Sequence, residues 1–180
     1  MVRQVSSVTV ADRRAAPPVG GQRDSVRLTA VSKVFGRGES AVRALDNVSL
    51  EVPPGEFTCL IGASGCGKST LLSLVAGLEQ PTSGQVSAGG GRVAFMFQEP
   101  ALFPWLTAAG NVELALRARG LGKAERRQRT GELLEVVRLT GFGGKRPHQL
   151  SGGMRQRVAL ARALAQDAEV LLMEDRKSVV

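Results

Sequence analysis

The sequence predicts an α/β fold, in which short buried strands alternate with helices after an antiparallel β segment. Three observations carry this. The runs "FTCLI" (57–61), "RVAFMF" (92–97) and "AEVLLM" (168–173) are continuous and apolar at strand length, the pattern of strands covered on both faces. Segments between them carry apolar residues at helical period, and two stretches ahead of them alternate at period two. With 180 residues and 43% apolar content, the chain is long enough for one domain with a real core.

Taken in order, residues 1–24, "MVRQVSSVTVADRRAAPPVGGQRD", lack the apolar centre of a secretory signal and read as a disordered leader. From Ser25, "SVRLTAVSKVF" and "VRALDNVSLEV" alternate as antiparallel strands around the turn-rich "GRGES". "PPGE" makes a turn into "FTCLI", and a glycine-rich loop follows. "KSTLLSLVAGLE" then places Leu71, Val75 and Leu78 on one helical face and stops before Pro81. Pro81 to Gly91 reads as a polar, glycine-rich connection to the second buried strand. Thr107 to Gly141 is helical in period with "KAERRQR" on its outer face, and "MRQRVALARALAQ" is a further helix after the loop "LSGG".

The formal charge of +8 suits nucleic acid, anionic lipid or a polyphosphate ligand, yet the basic residues are spread along the chain and read as a solvated basic surface. Cys59 and Cys66 are too few for a disulfide framework and wrongly spaced for zinc, which points to a reducing compartment. No apolar stretch approaches the ~20 residues needed to span a bilayer.

"GASGCGKST" fits G-x-x-x-x-G-K-[ST], with Gly62, Ala63, Ser64, Gly65, Cys66, Gly67, Lys68, Ser69 and Thr70 in sequence. Glycines at these places let successive backbone N–H groups turn inward as an anion nest, and the following helix points its positive end at the same phosphates. Lys68 would reach the β- and γ-phosphates of a nucleoside triphosphate, and Ser69 would give its hydroxyl to Mg²⁺. By itself the loop does not choose among kinases, GTPases and ATPases.

Downstream, "LSGGMRQRVALARAL" resembles the signature of the ATP-binding cassette (ABC) transporter ATPases, and "FQEPALFPWLT" resembles their Q-loop region. The wording "PHQLSGGMRQRVALARALA" with "EPALFPWLT" is most like bacterial importers of nitrate, taurine and alkylsulfonates. The resemblance implies a P-loop NTPase (RecA-like) core with an N-terminal antiparallel β subdomain and an inserted helical subdomain at about 100–165. It makes 25–180 a nucleotide-binding domain, incomplete at its C-terminus.

By the same resemblance, Leu150, Ser151, Gly152, Gly153 and Met154 close over the ATP of a second subunit, in a head-to-tail homodimer holding two ATP molecules. The residue types suit this, since Ser151, Gly152 and Gly153 offer a hydroxyl and unhindered N–H groups at a helix start. Further implied partners are transmembrane permease subunits and, indirectly, a solute-binding protein, with no nucleic acid. The implied location is peripheral, at the cytoplasmic face of the inner or plasma membrane. A permease helix would dock near Leu102, Phe103 and Trp105, for which a core position is the other reading. Phe35 lies where the family places an adenine-stacking aromatic, and again a core position is the alternative. His148, before "QLSGG", reads as structural.

For hydrolysis, Gln98 would reach Mg²⁺ or the attacking water. In the family, an Asp then a Glu at the end of the acidic strand serve the metal and the water. Here the order is Glu174 then Asp175, so the carboxylate on the metal side, Glu174, is longer and the one facing water, Asp175, is shorter. Nothing like the family's following proline or switch histidine appears in "RKSVV", which reads as a truncated or frame-disrupted end. Two readings follow: the ATPase subunit of an importer, or a non-catalytic nucleotide-binding fragment. A soluble ABC protein acting on DNA or ribosomes is disfavoured by "EPALFPWLT", and a simple GTPase or small-molecule kinase by "LSGGMRQR".

Overall fold

A computed structural model describes the backbone of residues 9–15 and the whole of residues 25–174. The chain forms two compact units that divide after Gly91.

The first unit is built on hairpins. Strands β2 (Val26–Phe35) and β3 (Val42–Val52) pair antiparallel, from Val26 opposite Val52 to Phe35 opposite Val42. Their alternating residues bury Leu28, Val31 and Leu45. β5 (Ser83–Ala88) pairs with the other edge of β2, so the stretch expected to be a plain connection is a strand. The pairing passes a bulge where Gly84, at φ +84°, faces Ala30, and a Cβ at Gly84 would lie 2.4 Å from the Ala30 carbonyl oxygen. Glycine there marks a close backbone approach rather than a loop.

β4 (Glu56–Ile61) departs from expectation in another way. It pairs antiparallel with β1 (Thr9–Ala15), a segment expected to lie in a disordered leader, whose backbone satisfies the ladder groups along one edge of β4. Its residues alternate between half-buried and exposed, with Phe57 66% and Ile61 53% exposed, so it is not covered on both faces.

Helix α1 (Lys68–Val75) follows β4 and buries Leu71, Leu74 and Val75. It ends before Leu78, which is exposed. Gly77 takes φ +71°, the Leu78 N–H donates to the Ser73 carbonyl and the Gly77 N–H to the Leu74 carbonyl, a two-bond closure that stops the helix.

The second unit pairs β6 (Val93–Met96) in parallel with β7 (Val170–Met173), in register from Val93 opposite Val170 to Met96 opposite Met173. These strands were expected to be covered on both faces, but the cover is one-sided: Leu171, Met173 and Phe97 are exposed. The helical stretch of the sequence resolves into α2 (Ala108–Ala118) and α3 (Lys123–Val136), and α4 (Gly152–Leu164) precedes β7. Ala108, Val112 and Leu116 of α2 pack with Leu134 of α3, Val158 and Ala161 of α4, and Val137, Leu139 and Leu150 beside them.

Asn111 is fully buried within this unit and uses its side chain to hold the loop ahead of α2. The Phe103 N–H donates to its Oδ1 at 2.8 Å, and its Nδ2 donates to the carbonyls of Phe103 (3.3 Å) and Thr107 (2.9 Å). Replacing it by Asn111→Leu removes the acceptor of the Phe103 N–H, while the Phe103 and Thr107 carbonyls keep only the backbone N–H groups of Leu106 and Asn111. Urea unfolding is expected to show a loss of about 1–3 kcal/mol, whereas an unchanged midpoint would mean that the loop satisfies itself.

Candidate functional site

In the first unit, residues 62–67 turn the chain from the end of β4 into the start of α1. Gly62 to Gly65 are exposed, Cys66 and Gly67 are buried, and Ser69 and Thr70 lie in the first turn of the helix. The loop is closed on itself by the Cys66 N–H, which donates to the Ala63 carbonyl at 3.3 Å. Gly67 is the N-cap, at φ +95°. A Cβ on it would lie 2.5 Å from the Ala44 carbonyl oxygen and 2.8 Å from Leu45 Cδ2, so both conformation and space require glycine. Gly65 also has positive φ, +78°, but nothing within 4 Å of a Cβ.

Lys68 turns back over the loop. Its ammonium donates to the Gly62 carbonyl at 2.6 Å and the Ala63 carbonyl at 2.8 Å, with Cys66 Sγ at 3.5 Å. A cation is thereby held at the mouth of a ring of backbone groups, beside the positive end of α1. Phe35 is not a core residue: it is 40% exposed, and the Lys33 ammonium lies 4.8 Å from its ring centroid. Lys33 is in turn fixed by Glu79 at 2.8 Å and the Gln80 carbonyl at 2.7 Å.

In the second unit, Gln98 and Glu174 lie just beyond the ends of β6 and β7. Because those strands are parallel neighbours, both residues fall at the C-terminal edge of one sheet, where ligands of open α/β sheets bind. The Glu174 N–H donates to the Met96 carbonyl at 3.0 Å, which keeps the two strand ends side by side. Asp175, expected beside Glu174, lies outside the described residues.

Ser151 is the N-cap of α4, its Oγ accepting the Met154 N–H at 3.2 Å. The helix therefore begins two residues earlier than its apolar pattern suggests. Ser151, Gly152 and Gly153 are exposed, Leu150 is buried, and Met154 is half-buried against the core. His148 is exposed on the 3-10 turn Pro147–Gln149.

The segment after Gln98 also separates into parts. Leu102 packs against the helical core, Phe103 is half-buried, and Trp105 is 68% exposed with its ring 5.4 Å from that of Phe103. Residues the sequence did not single out hold this segment. Gln156 Nε2 donates to the Gln98 carbonyl at 2.7 Å, and Arg162 donates to the carbonyls of Ala101 (2.8 Å) and Pro100 (3.0 Å). Burial holds the Arg162 guanidinium below the usual arginine pKa. One signal was available: Arg162 interrupts "VALARALA", an otherwise apolar stretch of helix.

Strand, glycine loop and helix, with a lysine held over the loop, define a P-loop nucleotide-binding α/β protein. Residues 45–176 match the ABC transporter family, and the chain belongs to that family. It is 49% identical over 152 residues to the taurine import ATP-binding protein TauB of Burkholderia pseudomallei (strain 1710b), covering 81% of this chain and 58% of that protein. It is 44% identical over 157 residues to the nitrate import ATP-binding protein NrtD of Synechocystis sp., covering 83% and 59%. The chain thus spans less than two thirds of the length of these relatives. Among solved structures it is similar to the ATP-binding cassette MJ0796, a dimer in a post-hydrolysis state bound to ADP and Pi. The TM-score is 0.75 at 36% identity, over 86% of this chain and 75% of that one.

The two loop glycines make a direct comparison. Gly65→Ala, strained only in φ, is expected to lower stability by about 1–2 kcal/mol. Gly67→Ala adds the collision with Ala44 and should cost more. Equal thermal unfolding midpoints for the two variants would contradict this geometry.

Proposed function

We propose that this chain is the ATP-binding subunit of a bacterial ABC importer, in which ATP binding and hydrolysis close and open a dimer beneath a membrane permease. The observation that carries the reading is the glycine loop with Lys68 at its mouth, on a chain of this family. The loop N–H groups and the start of α1 bind the β- and γ-phosphates, and Lys68 exchanges the Gly62 and Ala63 carbonyls for phosphate oxygens. Phe35, exposed and backed by Lys33, offers a ring face to adenine.

Ser151 suits the second phosphate contact, made to the ATP of a partner copy. Its oxygen accepts the Met154 N–H, which leaves its own O–H to donate to phosphate beside the N–H groups of Gly152 and Gly153. Ser69, Gln98 and Glu174 each carry a side-chain oxygen of the kind Mg²⁺ prefers, and Mg²⁺ held by such donors would neutralise phosphate charge. In the reaction, water attacks the γ-phosphorus, the bond to the β–γ bridging oxygen breaks, and the water proton passes to a nearby base or to phosphate. Gln98 and the acids after β7 orient that water.

Relatives named for taurine and nitrate import favour a small oxyanion or sulfonate as the solute, selected by the permease and a solute-binding protein. Exposed Trp105, next to the segment carrying Gln98, suits contact with the permease at the cytoplasmic face of the membrane. The order Glu174-Asp175 favours a second reading, in which the chain binds nucleotide but turns it over poorly.

Calorimetric titration with Mg-ATP tests the binding site: Lys68→Ala should weaken affinity at least tenfold, about 1.4 kcal/mol. Unchanged affinity would overturn the site. Phosphate release tests the acids. Exchanging them in Glu174→Asp/Asp175→Glu is expected to raise turnover about a hundredfold at constant ATP affinity, since it corrects a carboxylate placement of about 1 Å. Equal turnover in both forms would show that their order does not matter.

A further inference from the structure

We propose that β1 braces the phosphate loop: by pairing along β4 it fixes the strand end from which Gly62 departs, and so keeps the leading half of the loop in shape for an anion. The bracing rests on the strand pairing alone; its use for nucleotide rests on the function proposed above.

The two ends of the loop are held differently. At the far end, the close approach of Gly67 to Ala44 and the burial of Leu71, Leu74 and Val75 seat the start of α1. At the near end, Gly62 to Gly65 are exposed, and the Lys68 ammonium on the Gly62 carbonyl draws that end inward. Once Lys68 turns to phosphate, the Gly62 carbonyl loses this donor, and the place of Gly62 depends on the strand it leaves. Among the described residues, β1 is the one strand that pairs with β4, in six register pairs from Thr9 opposite Ile61 to Ala15 opposite Glu56. The first of these pairs stands directly before Gly62. Packing helps β4 little, since Phe57 and Ile61 are exposed, so its position falls to the ladder. A two-stranded ribbon is marginal by itself, and a single change in β1 should therefore reach the loop. The register shifts between Ala11 and Arg13, which leaves Asp12 outside the ladder.

The first experiment reads the pairing and the brace without nucleotide. Cys59 is exposed and stands opposite Ala11, so Ala11→Cys should form a disulfide with it under diamide, mapped by mass spectrometry. Val10→Cys, whose register partner is Leu60, should not. No disulfide in Ala11→Cys, or equal yields from the two, would overturn the pairing. Hydrogen exchange then reads the brace. Val10→Pro/Ala11→Pro removes a ladder N–H whichever of the two points at β4. Amides of 56–65 should exchange at least about fivefold faster in it, while those of 26–35 keep their rates. Asp12→Pro, at the bulge, should change them less. Unchanged exchange at 56–65 refutes the brace. If the double variant loosens the whole unit, the single prolines decide: one of the two positions carries a ladder N–H, so equal exchange in both would overturn the brace.

The second experiment is calorimetric titration with Mg-ATP. Val10→Pro/Ala11→Pro should bind about tenfold more weakly than the parent chain, because a loosened loop spends less time in its binding shape. Oxidised Ala11→Cys, with the brace locked, should keep affinity within about twofold of the parent. Faster exchange with unchanged affinity sinks the use of the brace for nucleotide. A parent chain that binds no ATP sinks the proposed function and that use together, and the disulfide and exchange comparisons still decide the brace.

Discussion

Carbonyl groups left over where the chain quits its helices and strands are the constraint on which both units depend. Each must find a donor, and in this protein long basic side chains supply many of them. Arg157 donates to the carbonyls of Val137 and Arg138 at the end of α3, Arg119 to Ala165 at the end of α4, and Arg155 to Leu150 ahead of α4. Arg126 reaches the Leu121 carbonyl and Lys33 that of Gln80. Cations at helix C-termini also meet the negative end of the helix dipole, so one contact serves two purposes. The excess positive charge is thus partly internal wiring rather than solvated surface. Arg138 shows the benefit: it closes α3 at φ +56°, where glycine is usual, and the Arg157 guanidinium holds its carbonyl.

The parts legible in the sequence are those whose reasons are local. The phosphate loop could be read residue by residue, because each glycine, the lysine and the following helix answer a requirement met within nine positions. Ser151 was readable for the same reason, since a serine before two glycines and an apolar-periodic helix is a capping pattern. Gly67 went further than its motif: the collision with Ala44 involves a residue of β3 that spacing does not reveal.

What sequence reasoning missed is non-local. β5 was hidden by its serines and Gly84, and exists because β2 offers it an edge. β4 and β7 looked buried because their residues are apolar, but apolarity states a preference, and coverage depends on which elements lie against each face. Trp105 and Leu102, three residues apart, part company for a similar reason. Asn111 anchors the loop so that Leu102 packs against the helices while Trp105 stands clear.

In the function we propose, nucleotide binding and hydrolysis place unequal demands on this framework. Binding draws on backbone N–H groups, whose positions are set by φ angles and close contacts around Gly65 and Gly67 and tolerate variation in most side chains. Hydrolysis, as proposed, would draw on the tips of side chains beyond β6 and β7, where one methylene moves a carboxylate by a distance that matters to the barrier. The sheet fixes the Cα of Glu174 through its N–H to Met96, so the strand cannot slide to absorb a longer side chain. Under the proposed function, the order Glu174-Asp175 after a firmly registered strand would weigh on the chemical step, while the loop proposed to grip phosphate answers to its own glycines.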